Sequence, residues 1–274
     1  MNRRTFGSRL VASPYLLWMV LFIIVPLLMV VYYAFTDKTG AFTTEHIFAL
    51  SRYGQTLGIS VLYAFIATAI CLIISFPFAY FMARSAKNRQ RVMMLLVMLP
   101  MWMNFLIRIY SWITILSNTG IINTLLGKLG LGPVQLINTP GAVILGMVYN
   151  FIPFMIYPIY NTLQKMDHSY IEAAQDLGAN PVQVFFKAVL PLSMPGVMSG
   201  IMMVFMPTIS TFAIAELLTM NNIKLFGTTI QENINNSMWN YGAALSLIML
   251  LLIAATSLFS TDDKDNTNEG GGLW

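Results

Sequence analysis

The 274-residue chain predicts an all-α membrane bundle of about six helices, and three observations predict it. Only 9% of its residues are charged, whereas a domain facing water carries about a quarter. Its apolar residues gather into long charge-free runs, near the ~20 residues that a helix needs to cross the hydrocarbon core. Its Lys and Arg residues collect in alternate gaps between those runs, as a polytopic topology requires.

The runs lie at roughly 14–35, 58–83, 92–116, 140–160, 191–218 and 241–260. Arg3, Arg4 and Arg9 before the first run imitate a secretory signal. Yet Pro14 to Phe35 is too long for a signal's apolar region, and Tyr32-Tyr33-Ala34-Phe35 offers no small-x-small cleavage site, so it reads as a retained span. The second run holds Cys71, a single cysteine that reads as a small buried hydrophobe. The third contains Arg108 and the fifth is rich in proline, which makes their helical limits the hardest to place. Pro26, Pro77, Pro100, Pro153, Pro158, Pro195 and Pro207 all fall inside spans. Each removes a backbone donor and kinks its helix or frees a carbonyl, as suits a bundle that lines a cavity. Proline is also commoner in membrane helices generally, so the number alone decides nothing.

Residues 1–260 read as one transmembrane domain, and 261–274, with Asp262, Asp263 and Asp265 before three glycines, as a short disordered acidic tail. One set of gaps holds Arg3, Arg4, Arg9, Arg84, Lys87, Arg89, Arg91, Lys165, Lys187 and Lys264; the other holds Lys38, Arg52, Arg108, Lys128 and Lys224. The positive-inside rule then makes both termini and the 161–190 gap cytoplasmic. Distributed this way, the +4 net charge forms no basic patch interleaved with aromatics, so a nucleic-acid partner is not expected.

The gap between the fourth and fifth spans carries the most local information. Ser169 and Glu172 have capping-box spacing, predicting a helix from about Tyr170. Gly178 suits a left-handed stop, Asn180 a cap, and Pro181 the first residue of a second helix toward Pro191. Ala173 and Ala174 leave a thin face that another protein can approach closely.

Glu172-Ala173-Ala174, Gly178 four residues on, then Ala188 and Leu190-Pro191 resemble the EAA loop of ABC-importer permeases. The family usually has a branched aliphatic where Ala188 stands. Leu99-Pro100-Met101-Trp102 through Tyr110, Asp176-Leu177-Gly178-Ala179, Pro153-Phe154-Met155 and Leu190 to Gly196 resemble the spermidine/putrescine permease branch, in its first-permease form. The resemblance implies the type I importer permease fold and a bacterial plasma-membrane location. It also implies a second homologous permease, an extracytoplasmic polyamine-binding protein, and an ATPase dimer that binds the ATP and Mg. The loop 167–190 would dock on that ATPase through Glu172, Ala173, Ala174, Asp176, Gly178 and Pro191.

A polycation needs carboxylates for its ammonium groups and aromatic faces for cation–π contact. Trp102, Phe105 and Trp112 share an arc of about 80° if the third span is one helix. Tyr110 lies in the same span, Tyr149, Phe154 and Tyr157 in the fourth, and Glu216 is the one acid within any span. These aromatics fit a substrate path or an interfacial belt, and Glu216 fits a cavity or the outer surface. Arg108 either snorkels outward or pairs with Glu216.

No Gly-rich phosphate loop ending in Gly-Lys-Ser/Thr occurs, His46 and His168 are isolated, and no nucleophile motif is present. A catalytic site and a bound cofactor are therefore not expected in this chain. A secondary transporter would show inverted repeats and several intramembrane relay charges, and an intramembrane enzyme would show paired catalytic polar groups. Within the importer class, an amino acid, a sugar phosphate or an oxyanion is the alternative cargo; an oxyanion would favour Arg108 and helix N-termini over Glu216.

Overall fold

The structure, a computed structural model, describes residues 14–48, 50–167 and 169–268. These form helices and connections, with no β-strand among the described residues beyond an isolated bridge between Thr36 and Phe42. Six segments are long and apolar enough to cross a membrane: Pro14–Ala34, Tyr53–Ala83, Phe105–Lys128, Pro140–Lys165, Pro181–Ser210 and Trp239–Ser257.

In chain order the helices are α1 (Pro14–Ala34), α2 (Glu45–Phe48), α3 (Leu50–Ala83), α4 (Lys87–Met98), α5 (Phe105–Leu116) and α6 (Ile121–Lys128). They continue with α7 (Pro140–Lys165), α8 (Ser169–Asp176), α9 (Pro181–Ser210), α10 (Ala213–Thr219), α11 (Phe226–Asn235) and α12 (Trp239–Asn268).

Two prolines are accommodated by a shared device. In α1 a π-turn spans Val20–Ile24, the Val25 N–H reaches back to the Val20 carbonyl, and Pro26 follows. In α9 a π-turn spans Phe185–Val189, the Leu190 N–H reaches the Phe185 carbonyl, and Pro191 follows. The wider turn relieves the clash that a proline ring otherwise makes with the carbonyl four residues back. Pro191 therefore does not end a second loop helix: Pro181 to Ser210 is continuous.

The chain falls into two compact units. One comprises residues up to Gly54 together with Thr229–Ala255. Here Asn240 Nδ2 donates to the carbonyls of Tyr33 and Thr36, tying the end of α1 to the start of α12. Ala34, Ala243 and Ala244 are buried and allow the close approach. His46 meets the Tyr241 ring edge-on at 4.3 Å, with its Nε2 4.0 Å from Asp37 Oδ1.

The other unit, Gln55–Thr228 with the chain from Thr256, holds the main apolar core. Its hub is α7: 61% of that helix's most apolar stretch is buried, against none for α1. The tight seam is α7 against α9, where Gly196 and Gly200 stand one turn apart. A Cβ on Gly196 would lie 2.7 Å from the Pro158 carbonyl oxygen and strike Thr162, and one on Gly200 would lie 2.7 Å from Met155 Sδ. This is the small-xxx-small spacing by which membrane helices bring their backbones together. Gly146 serves the α7–α10 seam, a Cβ there falling 2.6 Å from Leu218 Cδ1.

Three sequence expectations are corrected. The third span is not one helix over 92–116: α4 ends at Met98, a 3₁₀ turn occupies Leu99–Trp102, and Met103 is extended. Pro100 denies the α-ladder a donor, and Asn104 restarts it by accepting the Leu106 N–H at 2.9 Å. The fifth span stops at Ser210, because Thr211 is extended, and α10 begins afresh at Ala213. The first eight tail residues, 261–268, continue α12 rather than being disordered, since no glycine or proline interrupts it before Gly270; 269–274 lie outside the described residues.

Candidate functional site

The α8–α9 loop is built by local chemistry at every step. Asp167 Oδ1 accepts the Ser169 N–H at 3.0 Å and opens α8. Ile171 is buried and anchors the helix to the core, which turns Glu172, Ala173 and Asp176 outward. Ala174 is half-buried, so of the two alanines only Ala173 offers an exposed small face.

Gly178 has φ +79°, in the left-handed region. Its N–H donates to the Gln175 carbonyl at 2.8 Å, and the Ala179 N–H donates to Ala174 at 3.1 Å. This is a Schellman stop. Two residues later Asn180 Oδ1 accepts the Gln183 N–H, and Gln183 Oε1 accepts the Asn180 N–H, both at 2.9 Å. The reciprocal capping box fixes the entry of α9. The two helices therefore meet at a turn held by four specific hydrogen bonds.

Around that turn the loop exposes large apolar side chains. Leu177 is 89% exposed, and Tyr170, Val182 and Phe186 are exposed with it. These apolar side chains lie in the same loop as the exposed Glu172. Sequence reasoning missed Leu177, although its place between Asp176 and Gly178, where the chain leaves a helix, was a usable signal. Pro191 is also exposed, two residues past the π-turn.

Beside α8 runs a groove of about 630 Å³ between Arg84, Lys87, Glu172 and Gln175. Its wall is held by Gln90, which is 8% exposed. Gln90 Nε2 donates to the carbonyls of Ala83 and Ser85, at 3.0 and 2.8 Å. Its Oε1 accepts the Tyr160 hydroxyl at 3.0 Å and Gln164 Nε2 at 3.2 Å. The end of α3, the start of α4 and the end of α7 are thereby locked together next to α8. Arg84 stacks over the Tyr80 ring at 4.5 Å.

The expected substrate-path residues are only partly brought together. Trp112 and Tyr149 meet edge-to-face, with centroids 5.3 Å apart, joining α5 to α7. Trp102 is 81% exposed on the 3₁₀ turn, and the extended Met103 breaks the helical phase, so the expected arc with Phe105 and Trp112 does not form. Tyr110 and Phe154 are exposed, Phe154 lying 6.4 Å from Phe151.

Glu216 is exposed in the first turn of α10, a separate helix rather than an extension of the fifth span. Arg108 neither snorkels nor pairs with it: no ion pair joins the two among the described residues. Arg108 is 9% exposed, its guanidinium carbon 5.9 Å from the Phe105 ring, with Nε and Nη1 lacking a hydrogen-bond partner in this chain.

Residues 75–261 match the family described as the binding-protein-dependent transport system inner membrane component. The spermidine/putrescine transport system permease protein PotB of Haemophilus influenzae is 38% identical over 248 residues, which cover 86% of this chain and 87% of that protein. Its Escherichia coli counterpart is 34% identical over 247 residues, covering 86% and 90%. Among solved structures, a bacterial ABC transporter involved in import of the acidic polysaccharide alginate superposes with a TM-score of 0.78. That match covers 96% of each chain at 17% identity, a likeness of fold.

Proposed function

The chain belongs to the family of binding-protein-dependent transport system inner membrane components, and from that premise we propose that it carries polyamines, spermidine or putrescine, through an ATP-binding-cassette importer. It is a multi-pass membrane permease. The observation that carries the coupling role is the α8–α9 turn, a hydrogen-bonded knuckle presenting Glu172, Ala173 and Leu177 outward.

In this reading an ATPase dimer, which binds the ATP and Mg, grips the knuckle. Glu172 offers it a charge, Ala173 a close approach, and Leu177 an apolar anchor. Gly178 holds the knuckle's shape, and Asp176 and Pro191, both exposed, add to the surface offered to the ATPase. A second homologous permease completes the path, and an extracytoplasmic binding protein delivers the cargo. The protein sits in a bacterial plasma membrane with both termini cytoplasmic, the side favoured by the distribution of Lys and Arg. The 1–260 domain supplies the route and no chemistry of its own. ATP-driven closure brings the knuckles of the two permeases together and opens the path outward, and hydrolysis resets it inward.

Polyamine cargo is supported by the substrates named for its relatives and by the available chemistry. Trp102, Tyr110 and Phe154 present exposed aromatic faces, each worth roughly 0.5–2 kcal/mol to an ammonium group. Trp112 and Tyr149 form a further aromatic pair, and Glu216 supplies an exposed carboxylate. A bare guanidinium on the path would repel a polycation, whereas Arg108 is enclosed in protein.

The test is labelled spermidine uptake by cells expressing the complete transporter, with and without Leu177→Asp. We expect competition by putrescine but not by anionic solutes, and loss of both uptake and co-purified ATPase in the variant. Full uptake by Leu177→Asp would contradict the docking role.

A further inference from the structure

We propose that α4 and α7 form a binding site for a phospholipid with an anionic headgroup, in the leaflet that contains the start of α4. A second groove, of about 550 Å³, is lined by α4 and shares Lys87 and Gln90 with the one that reaches Glu172. Its α4 wall is chemically divided. Lys87 and Arg91 line one end, and Met94, Leu95 and Met98 line the other. At 100° per residue Lys87, Arg91, Met94 and Met98 fall within about 60°, so they form one stripe. From Arg91 to Met98 the helix rises about 10 Å, within the ~15 Å depth of one leaflet's hydrocarbon.

The facing wall is α7, through Tyr160 and Gln164. Gln90 and Tyr160 are each more than nine-tenths buried and bonded to each other, so the floor of the groove is preformed rather than a gap between loose side chains. Lys87 and Arg91 are exposed and in no ion pair among the described residues, and no carboxylate lines this groove.

That pattern selects the occupant. Two free cations without a carboxylate favour a phosphate-bearing group of net negative charge over a zwitterion, whose ammonium would find no partner. An apolar wall continuing inward from the cations suits an acyl chain, which a free phosphate lacks. Lys87 and Gln90 also line the groove that holds Glu172, so the headgroup would lie against the frame of α8. The site stands whatever the cargo.

The experiment is native mass spectrometry of the purified full-length complex. It would be offered equal amounts of phosphatidylglycerol and phosphatidylcholine with identical chains. The wild type should retain phosphatidylglycerol, and Lys87→Gln/Arg91→Gln should weaken that retention at least about tenfold. The charge-keeping pair Lys87→Arg/Arg91→Lys should retain it, and Lys128→Gln, elsewhere on the chain, should match the wild type. Leu95→Asn, which spoils only the apolar wall, should also lose lipid. Equal retention by the Gln double variant would overturn the proposal. So would displacement of the lipid by millimolar inorganic phosphate, which would reveal a site for the anion alone.

Discussion

Replacing Gly178 tests whether the α8–α9 turn, in its proposed coupling role, works through its backbone conformation. The residue has φ +79°, and no heavy atom lies within 4 Å of where its Cβ would project. A side chain there meets no neighbour in this chain, so the penalty is conformational. An L-residue forced into the left-handed region loses roughly 1–2 kcal/mol. At ~1.4 kcal/mol per decade, Gly178→Ala should depopulate the native turn about 5- to 30-fold relative to alternatives. Those alternatives forfeit the two bonds to Gln175 and Ala174. Asparagine tolerates the left-handed region better than alanine, and proline has neither the φ nor the donor. The predicted order of coupled transport is therefore Gly, Asn, Ala, Pro, read as substrate carried per ATP hydrolysed in proteoliposomes. If the cleft on the ATPase simply lacked room for a side chain, the order would follow size, with Ala above Asn. That ordering, or wild-type coupling in Gly178→Ala, would refute the reasoning.

Four other predictions follow from single positions. Gly196→Ala should destabilise the α7–α9 seam by about 1–3 kcal/mol, because the added Cβ meets the backbone oxygen of Pro158. Gly58→Ala in α3, with open space around it, should be neutral or stabilising by up to ~1 kcal/mol; thermal unfolding in detergent compares them. Asn180→Ala removes one side of the capping box and should cost about 1 kcal/mol, seen as faster amide exchange in the first turn of α9. Glu216→Gln should lower spermidine uptake at unchanged expression, and unchanged uptake would remove Glu216 from the path.

What the sequence revealed follows the range of the forces involved. The α8–α9 turn was legible residue by residue, since Gly178, Asn180 and Pro181 act on their own backbone. Even there only half of the capping box was read, Gln183 having passed unnoticed. Both limits of α1 followed from charge-free runs to within a residue, as did the end of α3 and the start of α7. But α3 begins eight residues before its run, at Leu50, and α7 runs five residues past its own, to Lys165, because polar and charged residues at a helix end do not stop the helix. Apolar continuity says nothing about helical continuity, however, and the breaks at Met103 and Thr211 were missed. Of the two left-handed residues that close α10, Asn221 is of a type that tolerates that region and was a usable stop signal, whereas Met220 carries none. The Gln90–Tyr160 bond joins residues 70 apart in the chain and is invisible to any local pattern. The Gly196–Gly200 spacing was present in the sequence but could be assigned to a helix seam only once α7 was seen against it.

The most direct measurement is the ATPase activity of the reconstituted importer with its binding protein, across a panel of polyamines, amino acids, sugar phosphates and oxyanions. Stimulation by spermidine or putrescine alone is the predicted result. Stimulation by an anion or a sugar phosphate, with polyamines silent, would contradict it.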